Sequence, residues 1–173
     1  VLHYIYVEKR QRIAIPKARK LGFSTLAEVI GFDRAYFDEG QESAVIERTA
    51  DDAHEKKKIV DMLWETLDQD FKAGAGLIRN NKSEIGWSNG GSVIFGMSVV
   101  GKTPTFLHIS EWGIIAYKDP ERSAEIKGGM LQSVSGDEAV IFAEGTFRGG
   151  RGGDWYQIVN SGLKVAEKHR TKK

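Results

Sequence analysis

Cysteine is absent from the 173 residues, which excludes disulfides, thiolate nucleophiles and cysteine-held zinc. Histidine is scarce, and His3, His54, His108 and His169 are too scattered for metal-ligand spacing. His108, inside an apolar run, reads as a core or supporting residue, and His54 as a solvated one. Neither sign of charge dominates. Lys and Arg total 25 against 24 Asp and Glu, a net charge of +1, so any nucleic-acid contact has to be a local patch. No apolar run approaches the roughly 20 residues of a membrane span, and no signal peptide opens the chain. We therefore expect a soluble intracellular protein without a membrane partner. The length suits one domain with a real core. The chain opens on Val1 rather than Met, so we expect it to begin inside a longer protein.

What is present alternates. Arg12–Ile15 reads as a strand that Pro16 closes, and Ser24 and Thr25 as caps of a helix carrying Leu26, Val29 and Ile30. A strand is expected over Glu42–Glu47. A long helix follows, capped by Thr49 or Asp51, with Ile59, Met62, Leu63 and Leu67 at helical spacing. Asn89-Gly90-Gly91 between Ile85–Ser88 and Ser92–Met97 is a hairpin signal. Phe106–Ile109 and Ala139–Ala143 read as strands, and Glu121–Ser133 and Trp155–Glu167 as helices. This order predicts an α/β fold with a mainly parallel sheet flanked by helices and an antiparallel hairpin inserted into it. The basic tail Lys164–Lys173 reads as a frayed, solvated end.

Three segments carry chemistry. In Lys17–Thr25 an apolar strand runs through Gly22 into a helix, the arrangement that aims backbone amides and a helix dipole at phosphate oxygens. The nucleotide-binding candidates are Lys17, Ala18, Arg19, Lys20, Leu21, Gly22, Phe23, Ser24 and Thr25. Ser24 occupies the place of a magnesium-binding hydroxyl. Phe23 stands where a phosphate loop usually has lysine, so the positive charge must come from Lys17, Arg19 or Lys20. A strand–turn–helix with solvated bases is the plain alternative. In the second segment, Phe106–Ile109 leads to Ser110 and Glu111 at a strand end, where ligands of open α/β sheets bind. Glu111 is the expected catalytic base, and Ser110 takes the place of the usual metal-directed aspartate, able to hold a metal-bound water but without charge. In the third, Glu144, Gly145 and Thr146 follow an apolar strand and form a candidate coupling motif that senses the nucleotide. The glycines at 149, 150, 152 and 153 predict a mobile loop, within which Arg148 and Arg151 are solvated or supply charge to the transition state.

Lys17-Ala18-Arg19-Lys20-Leu21-Gly22-Phe23-Ser24-Thr25, Leu107-His108-Ile109-Ser110-Glu111-Trp112 and Glu144-Gly145-Thr146-Phe147-Arg148-Gly149 ahead of Gly153-Asp154-Trp155-Tyr156 resemble the ATPase domain of the large terminase subunit of tailed bacteriophages. The resemblance runs from about Arg10 to Tyr156. Lys20 replaces a common glutamine, and Gly145 and Phe147 replace serine and alanine. The resemblance implies a P-loop NTPase fold over residues 1–173, ATP and Mg2+ as cofactors, and an ATPase that drives viral DNA into a procapsid. It implies Glu111 and Arg19 as catalytic residues, and Ser24 and Ser110 at the metal. It implies double-stranded DNA, a portal and a small terminase subunit as partners, a homo-oligomer while packaging, and the host cell cytoplasm as location. The family's upstream adenine-contacting segment and downstream nuclease domain are not recognisable here, so the chain reads as the ATP-hydrolysing part of a parent that also cuts DNA. Two other readings stay open. A helicase-like P-loop ATPase would carry lysine at position 23 and an Asp-Glu pair. A non-catalytic remnant that keeps the fold and binds a partner would account for the missing lysine, though the retained Ser24 and Glu111 speak against it.

Overall fold

The computed structural model describes residues 1–9, 11–99, 101–148 and 150–170, with side chains to residue 162. Arg10, Gly149 and the side chains of the basic tail lie outside the described residues. A short π-helical turn, His3–Val7, precedes β1 (Arg12–Pro16) and α1 (Phe23–Phe37). Then come β2 (Glu42–Ile46), α2 (Ala50–Thr66), α3 (Gln69–Lys72), β3 (Leu77–Asn80), β4 (Glu84–Trp87) and β5 (Ser92–Gly96). The remainder is β6 (Phe106–Ile109), α4 (Trp112–Lys118), α5 (Pro120–Glu125), α6 (Leu131–Ser133), β7 (Val140–Gly145) and α7 (Asp154–Arg170).

One seven-stranded sheet has the order β1-β7-β6-β2-β5-β4-β3. The first five strands of that order are mutually parallel. Only β4 runs against them, paired antiparallel with β5 on one side and with the edge strand β3 on the other. The expected hairpin is present as β4 and β5, but β5 belongs to the parallel set, so the antiparallel part extends the sheet rather than interrupting it. The central strands β2, β6 and β7 are buried almost throughout, which explains their near-continuous apolar runs. Alternation assigns their faces. Val45, Phe106 and Phe142 belong with α1, whereas Ile46, Leu107, Ile109 and Ala143 pack with Trp112 of α4 and Trp155 of α7.

Local signals refine or depart from expectation at four points. Gly22, at φ 77°, is the residue before α1, and Ser24 and Thr25 lie inside the helix instead of capping it. Thr49, not Asp51, caps α2, accepting a hydrogen bond from the Asp52 amide at 3.1 Å. The helix expected over Glu121–Ser133 starts at Pro120, with Asp119 capping it, and widens into a π-helical turn, Ile126–Met130, that contains Gly128 and Gly129. The helix α4 and the edge strand β3 were not anticipated; β3 is exposed along its length and carries no burial alternation to reveal it.

Candidate active site

The parallel strands end together, and three of the loops leaving that edge carry the three singled-out segments. Lys20 (φ 62°) and Gly22 (φ 77°) are both left-handed, which curls the loop between β1 and α1. A concave run of amides of this kind suits an anion. No atom approaches within 4 Å of where a Gly22 side chain would sit, so glycine is needed here for backbone geometry and not for space. Glu111 is also left-handed, at φ 51°. A non-glycine residue held there is strained, and such strain gathers at functional sites.

Glu144 joins the three loops. Its side chain has no solvent exposure, yet it accepts hydrogen bonds from the Ser24 hydroxyl at 2.6 Å and the Ser110 hydroxyl at 3.1 Å. Lys17 Nζ lies 3.0 Å from its other oxygen and 3.3 Å from Glu111 Oε1. Behind Glu144, His108 pairs through Nδ1 with Glu28 of α1 at 3.1 Å and lies 3.6 Å from Glu144 through Nε2. Burial raises the Glu144 carboxyl, but His108, Ser24 and Lys17 outweigh it and bring the pKa down to about 2. Burial likewise opposes charge on His108. Glu28 and Glu144 prevail and lift it to about 9. For Lys17 burial again pulls down, and the pairing with Glu144 and Glu111 gives a net rise.

A cleft of about 410 Å³ opens in front of this cluster, lined by Arg19, Ser24, Ser110, Glu111, Arg148 and the end of β2. Arg19 enters it with no ion pair among the described residues. Glu111 Oε2 is buried and accepts no hydrogen bond, and Thr146 Oγ1 is similarly unpartnered. The third segment is pressed against the second. A Cβ on Gly145 would lie 2.8 Å from the Gly113 amide nitrogen, and one on Gly113 would lie 2.0 Å from the Thr146 carbonyl. The Lys17 amide donates to the Gly145 carbonyl at 3.1 Å, so the end of β7 touches both other segments.

Of the residues singled out by sequence, Lys17, Ser24, Ser110, Glu111 and Glu144 meet in this cluster. Arg19 lines the cleft, while Ala18, Leu21 and Thr25 are exposed. Lys17 is not a spare cation, because two carboxylates already hold it. Glu144 is a buried hub rather than a side chain emerging toward a ligand. Glu111 is not the only acid at a strand end. Glu47 follows β2 at the same edge, with 3% exposure, and lines the cleft. Burial raises its carboxyl, partly offset by the Ser110 hydroxyl and by Lys56. Glu47 had the same signal as Glu111, an apolar strand ending in an acid. Glu28 was visible only as a charged residue one helical turn after Ser24.

Among the described residues no three acids or histidines converge as a metal cage. The donor set nevertheless fits magnesium bound with a nucleotide, since Mg2+ takes few protein groups and completes its shell with phosphate oxygens and water. Ser24 and Ser110 give their protons to Glu144, which leaves their oxygen lone pairs for another partner.

No protein-family model matches the chain, and no curated protein matches it. Solved structures do. The large terminase ATPase domain of Thermus phage P74-26 superposes with a TM-score of 0.63 at 17% identity, covering 80% of this chain and 60% of that one. A point mutant of the same domain gives 0.66 at 17% identity, covering 85% and 63%. The chain thus spans a little over three fifths of the length of these solved chains at most. At this identity the likeness establishes the fold, the α/β P-loop arrangement with a mainly parallel sheet. No helix among the described residues is long and apolar enough to cross a membrane.

Proposed function

We propose that the chain is an ATP-hydrolysing P-loop domain of the large-terminase kind, working as part of a viral DNA-packaging motor. The observation that carries this reading is the convergence of Lys17, Ser24 and Ser110 on Glu144, with Glu111 tied in through Lys17, beside a cleft that Arg19 enters. The loop amides and Arg19 receive the phosphates, and Ser24 and Ser110 offer hydroxyl oxygens to magnesium. Bound magnesium supplies charge neutralisation on the phosphates. Glu111, with a buried oxygen free to accept a proton, orients the attacking water and takes its proton. Glu144 keeps Lys17 and both serines in place. The wider reading rests on the sequence resemblance: double-stranded DNA as substrate, a portal and small subunit as partners, an oligomeric motor in the host cytoplasm, and a nuclease elsewhere in the parent.

In the parent protein assembled for packaging, Glu111→Gln is expected to spare ATP binding while lowering hydrolysis about 10²–10⁴-fold. Arg19→Ala should weaken ATP binding about 10-fold, the size of a charge-assisted contact. Near-normal hydrolysis in Glu111→Gln would remove Glu111 from the mechanism, and an unmodified parent that hydrolyses no ATP would favour the non-catalytic reading.

A further inference from the structure

Ser110 stands where a metal-directed acid is expected, and the charge it lacks is one strand away. The Ser110 amide donates to the Ile46 carbonyl at 2.9 Å, which places Glu47 beside it on the neighbouring strand end. The Glu47 carboxylate is buried in the cleft wall. One oxygen accepts a long bond from the Arg48 amide, at 3.4 Å, the other accepts no hydrogen bond, and the Ser110 hydroxyl beside the carboxylate donates to Glu144. The nearest cation is Lys56 Nζ at 3.5 Å, on α2. The backbone here is firmly held. Arg122 of α5 donates to the carbonyls of Glu47, Arg48 and Met97 at 2.5, 2.8 and 2.7 Å, and the Glu47 amide donates to Gly96 at 2.9 Å. A carboxylate carried on so firmly held a backbone, deeply buried and weakly satisfied, is placed to receive a cation or its bound water.

We infer that Glu47 supplies the negative charge that faces the divalent cation of the nucleotide complex, acting beside the hydroxyls of Ser110 and Ser24. This rests on the cleft being an ATP–magnesium site. It divides the work of two acids between strands: Glu111 serves the water, and Glu47 serves the metal. Lys56 balances Glu47 when no cation is near, and is therefore the metal's competitor.

The test is binding of a fluorescent ATP analogue to the intact protein, in EDTA and across a magnesium titration, with Mn2+ affinity in the presence of ADP read by electron paramagnetic resonance. Glu47→Gln should leave affinity in EDTA unchanged and reduce the gain from magnesium about 10-fold. Lys56→Ala, which leaves the carboxylate in place, should tighten Mn2+ roughly threefold. Glu111→Gln should keep the full magnesium gain. If Glu47→Gln retains that gain, or Lys56→Ala fails to tighten Mn2+, the assignment of Glu47 is overturned while the nucleotide site stands. If the unmodified protein binds no nucleotide under either condition, both fall together.

Discussion

His108 sits at full burial between two carboxylates, Glu28 and Glu144, and its charge ties α1 to the active-site edge. Because its folded pKa is raised above the ordinary 6.5 to about 9, its stabilisation is complete below pH 6.5 and is lost as pH climbs through 9. Glu144 has the opposite sign. Its pKa is lowered from 4.5 to about 2, so its contribution is present above pH 4.5 and is lost as pH falls toward 2. Both act together between pH 4.5 and 6.5. The urea midpoint should therefore decline from pH 6.5 to 9 in the unmodified protein. In His108→Gln it should be lower at pH 6 and flatter over that interval. Parallel profiles for the two proteins would show that His108 is not the charged partner. The sequence reading placed His108 correctly as a core residue, but the pairing with Glu28 was invisible in it. That contact depends on α1 crossing β6, a tertiary distance that no local pattern encodes.

At the scale of elements, the hairpin turn shows how a local signal acquires a second purpose. Asn89 donates to the Ala35 and Tyr36 carbonyls at 3.2 and 2.7 Å, satisfying the C-terminal end of α1, while its side-chain oxygen accepts from the Gly91 amide. Gly91 is required by contact: a Cβ there would lie 1.8 Å from the Ala35 carbonyl oxygen. Gly91→Ala should destabilise the fold by about 3 kcal/mol, the upper end of ordinary overpacking, measured as a shift in urea midpoint without change in slope. A change below about 0.5 kcal/mol would mean that the turn and α1 are not pressed together. The Asn-Gly-Gly signal was legible because turn chemistry is local. Most strands were legible because burial on both faces makes them apolar throughout. The helix α4 was not, since its seven residues follow the strained Glu111, which offers no side-chain cap to recognise.

Across the whole molecule, β7 is paired on both sides, but β1, which delivers the loop between Lys17 and Gly22, is paired on one. Parity shows which groups are left over. Gln11 accepts from Ile141 and Lys17 donates to Gly145, so the odd-numbered residues of β1 face β7. The amides of Arg12 and Ala14 therefore point away from the sheet, and Pro16 has none to offer. In a hydrogen-exchange measurement, Arg12 and Ala14 should lose protection well before Ile13 and Ile15; equal protection would mean that something covers that flank. The loop is thus hung from a strand that, among the described residues, has no strand along its outer flank. An extended segment laid along the outer flank of β1 would stiffen the loop without entering the cleft, so this margin of the sheet is a handle on the site from the side opposite β7.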